Sequence, residues 1–76
     1  MSANTSFSGT TDDTLEFERP VNYLNIGVAS GVTFSFSIDG SVYIPVPPGL
    51  YGISIGATKM IFVSSDGSWG INGVQA

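Results

Sequence analysis

The chain has 76 residues, room for one small domain, and it contains neither cysteine nor histidine. Those absences exclude disulfide frameworks, thiolate zinc and iron–sulfur centres, and every Ser/His or Cys/His nucleophile pair. Six acids (Asp12, Asp13, Glu16, Glu18, Asp39 and Asp66) stand against Arg19 and Lys59, a net charge of −4, which excludes nucleic acid and anionic membrane surfaces, both held by clustered Lys and Arg.

Residues 1–13 are rich in Ser, Thr, Asn, Gly and Asp, with Phe7 the single aromatic. They read as an extended N-terminal arm. There is no basic or apolar leader segment in them. Fully extended, such an arm reaches about 40 Å, enough to anchor Phe7 in a neighbouring subunit, although Phe7 can also fold back over its own domain. Residues 14–76 form the single predicted domain. Apolar residues there recur with period two, and Gly, Pro and Asp-Gly pairs punctuate them, which predicts an all-β fold. Helix is disfavoured because Gly and Pro interrupt every window long enough to form one.

The predicted strands are residues 14–18, 23–28, 32–37, 41–46, 51–57, 60–64 and 68–73. Arg19-Pro20 separates the first two, because proline lacks a ladder donor. Pro45 demotes the fourth strand to an edge, and Pro47-Pro48-Gly49 forces a loop. At Asp39-Gly40 a three-residue loop with Gly40 at positive φ pairs Phe36 with Val42, Phe34 with Ile44 and Val32 with Val46. That register gathers the apolar residues on one face, which a two-residue loop does not. The same logic at Asp66-Gly67 pairs Val63 with Trp69 and Ile61 with Ile71. Phe36–Ile44 and Val63–Ile71 also share Ser, Asp, Gly, Ser and Ile in register, which describes two similar hairpins. The predicted core is therefore Val32, Phe34, Phe36, Val42, Ile44, Val46, Ile61, Val63, Trp69 and Ile71. The architecture is a small antiparallel β-sandwich or barrel of six to seven strands with an extended N-terminal arm.

Chemistry is sparse. The lone Lys59 has no phosphate-loop spacing around it. Asp12, Asp13, Glu16 and Glu18 form an acidic cluster in which Glu16 and Glu18 share one strand face; this suits either a hard cation or the solvated side of an edge strand. Asp39 and Asp66 occupy turn positions that favour aspartate. No catalytic, cofactor-binding or metal-binding residue is assigned, and the chain is read as non-enzymatic. Trp69 falls on the predicted core face. The candidate interface residues are Phe7, Leu15, Phe17, Tyr43 and Tyr51, of which Tyr43 and Tyr51 point away from that face. With charged residues only 11% of the chain, part of the surface is expected to be covered by protein, and small size without staples favours a homo-oligomer.

The stretches Thr33-Phe34-Ser35-Phe36-Ser37-Ile38-Asp39-Gly40, Val46-Pro47-Pro48-Gly49 and Ala57-Thr58-Lys59-Met60-Ile61-Phe62-Val63 resemble small virion proteins of tailed bacteriophages. The likeness spans Val32–Val74 and rests on turn and strand chemistry. It implies a β-sandwich of the capsid decoration (cement) type, without cofactors, made in the host cytoplasm and assembled into the virion. The implied partner is the major capsid protein or another virion protein, with a trimer at a three-fold position as the expected oligomer. The alternative is a small binding module of a tail or fibre that presents Tyr43 and Tyr51 to carbohydrate or a host surface.

Overall fold

A computed structural model describes residues 4–75. They form six strands: β1 (Asn4–Gly9), β2 (Asp13–Val28), β3 (Phe34–Ile38), β4 (Ile44–Val46), β5 (Gly49–Ser65) and β6 (Trp69–Val74). All pairings are antiparallel, in one sheet of order β1-β6-β2-β5-β3-β4. The all-β antiparallel fold expected from the period-two pattern is present.

Two strands are longer than the sequence suggests. The expected segments 14–18 and 23–28 are one strand, β2, and 51–57 and 60–64 are one strand, β5. Both bend where their common ladder slips, between Glu16↔Met60 and Val21↔Thr58 and again before Tyr23↔Ser54. Pro20 lies inside the slipped region, so its missing N–H costs no ladder bond. The bend divides the sheet into two layers. Residues 13–16 of β2, residues 60–63 of β5, β3 and β4 make one layer. Residues 49–54 of β5, residues 23–28 of β2, β6 and β1 make the other.

The core lies between these layers. Leu15, Phe34, Phe36, Ile61 and Val63 come from the first, and Leu24, Ile26, Val28, Trp69 and Ile71 from the second. Phe17 and Val21 fill the bend, where both press against Gly73. A Cβ on Gly73 would stand 2.6 Å from the Phe17 ring, so only glycine fits there. Phe34 and Trp69 meet across the layers at 6.1 Å between centroids. The buried hydroxyls are all partnered: Ser37 donates to Ser41 O, Thr58 to Gly56 O and Ser65 to Gly67 O.

The two Asp-Gly turns differ from each other. Asp39 (φ 53°) and Gly40 (φ 83°) are the two central residues of a tight turn closed by Ser41 N donating to Ile38 O, the positive-φ pair of a type I′ turn. The ladder beyond it pairs Phe36↔Ile44 and Phe34↔Val46, two residues out of the expected register. Residues 41–43 are looped out, so Val42 stands 82% exposed and Ile44 half-exposed instead of lying in the core. The Asp66-Gly67 turn is not a hairpin. β5 pairs with β2 and β3, and β6 with β2 and β1, so the chain arches from one layer to the other. Thr33 N donates to Asp66 Oδ1 at 2.8 Å and anchors that arch. Gly67 does not have the expected positive φ. It is glycine for room, since a Cβ would stand 2.5 Å from Val32 Cγ2.

The N-terminal segment is extended but does not reach away. Within residues 1–13, Asn4–Gly9 pairs along the whole of β6, from Asn4↔Val74 to Gly9↔Trp69. Phe7 packs edge-on against Phe17 at 5.4 Å. Trp69 Nε1 donates to Thr11 O at 2.9 Å, and Ser65 N donates to Asp12 Oδ1 at 2.8 Å. The reading of this segment as a free arm is corrected for residues 4–13; Met1, Ser2 and Ala3 lie outside the described residues.

Candidate functional site

The candidate interface residues separate into two groups. Leu15 and Phe17 alternate with Glu16 and Glu18 on β2, and the alternation turns them inward. They are 1% and 0% exposed, which corrects their reading as interface residues. Phe7 is half-buried against the same core. Tyr43 and Tyr51 remain accessible, at 49% and 38%. Trp69 is buried, with its indole N–H satisfied by Thr11, and is not available as a stacking platform.

The acidic cluster is dispersed by local structure. Asp12 accepts from Ser65 N and Asp13 accepts from Thr14 N. Glu16 and Glu18 are exposed on the outer face of β2. Among the described residues no three acids gather closely enough to hold a metal ion.

The remaining surface feature is apolar and lies where β4 approaches the first half of β5. A groove of about 370 Å³ opens there between the layers. Ile26, Tyr51 and Ile53 line it from one layer, and Phe36, Ile44 and Val46 from the other, with Pro45 and Pro47 at its rim. It exists because β4 is only three residues long. The inner faces of β5 and β2 continue past it without a covering strand, leaving Ile53 and Ile55 half-buried although they face inward. Ile53 and Ile55 alternate with Ser54 along the strand, but where their cover stops is set by the length of β4 and not by that local pattern.

Tyr51 is held at the mouth of this groove. Its hydroxyl donates to Pro48 O at 3.0 Å, and its ring lies over Gly49, whose φ of 140° admits no other residue without strain. Around the corner Leu50 is 90% exposed, beside a second shallow depression of about 360 Å³ lined by Tyr23, Asn25, Gly27, Leu50 and Gly52. Tyr23 lies across Gly52, where any side chain would collide with it. Next to it, Asn25 donates to Asn72 Oδ1 and Asn72 donates to Ser6 Oγ, a polar ladder spanning three strands.

The segment Gly49–Ala57 that borders both depressions carries no charge. Among the described residues the exposed large apolar side chains are Tyr23, Val42, Tyr43, Ile44, Leu50 and Tyr51, of which Ile44 and Tyr51 line the groove. An uncharged apolar surface of this kind excludes water well and suits association. No protein-family model and no curated protein matches this sequence.

Proposed function

We propose that this chain is a non-enzymatic structural protein of a tailed-bacteriophage virion, of the capsid decoration (cement) type, acting by association through its apolar β4–β5 end. The observation that carries the reading is the open apolar groove between β4 and β5, lined by Ile26, Phe36, Val46 and Ile53 together with the exposed Ile44 and Tyr51. Open apolar grooves of this kind mark interaction sites. The likeness of Val32–Val74 to small virion proteins supplies the partner: the major capsid protein or a neighbouring virion protein, joined by further copies of this chain. Manufacture in the host cytoplasm agrees with a sequence that uses no cysteine. With β1 part of its own sheet, contact with the shell falls to the apolar end and not to a reaching arm.

The test is addition of the purified chain to capsid shells that lack it. Co-sedimentation and a raised disruption temperature of the shell are expected, both weakened by Ile44→Ser at the groove. Absence of binding would remove the reading. A second reading, a carbohydrate-binding module, is favoured by one feature: Tyr23 beside the Asn25–Asn72–Ser6 ladder, which offers a ring face and amides together. Glycan-array binding lost on Tyr51→Ala or Asn25→Ala would select it instead.

A further inference from the structure

The bend in β2 and β5 holds a cleft distinct from the apolar groove. Between Glu16↔Met60 and Val21↔Thr58 the ladder passes residues 17–20 of β2 against Lys59 alone. Before Tyr23↔Ser54 it passes residues 55–57 of β5 against Asn22. Phe17 and Val21 turn inward, which leaves Arg19 and Pro20 on the surface. On the other side of β2, Tyr23↔Val74 is the last pair of the ladder with β6, so Asn22 and Gln75 are the next positions of the two strands. These segments meet around a cavity of about 430 Å³ lined by Arg19, Pro20, Val21, Asn22, Ala57 and Gln75, near the lower end of the range for small-ligand sites. Its lining shares no residue with the groove.

Arg19, one of the two cations in the chain, brings a guanidinium to this cleft, and Asn22 and Gln75 bring primary amides. Among the described residues none of these three side chains has a protein hydrogen-bond partner. Among the described residues no acid lines the cleft, Glu18 included, although it precedes Arg19 in the chain. Pro20, Val21 and Ala57 make the rest of the lining apolar. We infer that this cleft binds a carboxylate. The Arg19 fork takes its two oxygens, the Asn22 and Gln75 amides donate to the lone pairs left over, and an aliphatic stem rests on Pro20 and Ala57. A guanidinium matches a carboxylate in plane and spacing, which a lysine ammonium does not. One cation on a molecule of net charge −4 balances one negative charge and not two, which favours a carboxylate over a phosphate dianion. A small organic acid and an acidic side chain of a partner protein present this same group.

The site uses no groove residue, so its failure would leave the proposed function standing. The test is amide-detected NMR of the isotopically labelled full chain, titrated with sodium propionate, with the blocked peptide acetyl-Gly-Glu-Gly-amide and with the Gln counterpart of that peptide. Both carboxylates are expected to give saturable shifts at the Arg19 Nε–H, the Asn22 and Gln75 side-chain amides and the adjoining backbone, and the Gln peptide none. For one exposed ion pair with two added hydrogen bonds, Kd should be on the order of 1–10 mM. Tighter binding of the peptide identifies a partner's acidic side chain as the source, and tighter binding of propionate a free organic acid. Gln75→Glu changes the shape little and sets a negative charge in the cleft, which should weaken binding by at least about tenfold. Arg19→Gln should do the same, whereas Lys59→Gln, which removes the other cation, should change Kd by less than about twofold. Arg19 and Lys59 are exposed, and the amide spectrum reports the fold of each variant in the same experiment. Shifts that do not saturate, inorganic phosphate binding as tightly as propionate, or equal losses in Lys59→Gln and Arg19→Gln would each overturn the inference.

Discussion

Removing the Phe7 side chain tests whether the N-terminal segment belongs to the fold. Phe7 sits half-buried on the core, edge-on to Phe17 at 5.4 Å and an interplanar angle of 78°. A fully buried Phe is worth about 1.5–3 kcal/mol, so a half-buried one contributes about 1 kcal/mol. The edge-to-face pair adds about 0.5–1.5 kcal/mol. Phe7→Ala should therefore cost about 2 kcal/mol, which in a domain of this size lowers Tm by about 8–16 °C. Total stability for such a chain is about 4–11 kcal/mol. Deleting residues 1–9 removes the six-residue ladder with β6 as well and uncovers Phe17, which is 0% exposed, and the Trp69 ring over Gly9. The truncated chain should lose most of its stability, read as a Tm drop well beyond that of Phe7→Ala in thermal melts followed by circular dichroism. A truncated chain that melts within two or three degrees of the full chain would refute this, and would restore the segment as an arm that acts elsewhere.

Other substitutions separate inward from outward residues. Phe17→Ala should cost about 3–5 kcal/mol, a large share of the total stability and a Tm drop beyond that of Phe7→Ala, whereas Tyr43→Ala at a 49% exposed site should cost less than about 1 kcal/mol. Gly40→Ala places a Cβ at φ 83° and should cost about 1–2 kcal/mol, while Gly40→Asn recovers part of it; equal melting temperatures would contradict the turn. Gly67→Ala should be destabilising through Val32 alone, so adding Val32→Ala should make the pair less damaging than the sum of the single changes in denaturant titrations.

Much of the fold could be read locally. Alternation marked Phe34, Phe36, Ile61, Val63, Trp69 and Ile71 as core, and all six are buried. Asp39-Gly40 announced a turn with Gly40 at positive φ, although the turn is the two-residue form and not the expected three-residue loop. What could not be read was which strand each segment would choose. Asp66-Gly67 carries the same local turn signal, yet β5 finds β2 and β3 as neighbours, and the turn becomes an arch between layers. Partner choice is a long-range decision that turn chemistry does not encode. β1 was hidden for a related reason: its sequence Asn-Thr-Ser-Phe-Ser-Gly offers one apolar residue, and its pairing depends on β6 already lying beside β2. The alternation of Leu15 and Phe17 with Glu16 and Glu18 was visible and pointed inward, against their reading as interface residues. Tyr51 was expected to point away from the core face, yet it stands opposite Ile26 on the inner face, where the groove it borders arises from the short reach of β4, a length set by Pro45, Pro47 and Pro48.

The central proposal, a virion protein that works by association, is tested most directly by a cryo-EM map of the intact particle in which the chain is made. The proposal predicts density for this six-stranded sheet in many copies on the capsid, at capsomer junctions, with the β4–β5 end against neighbouring protein. Density confined to a tail or fibre tip with that end facing solvent, or no density in the particle at all, would contradict it.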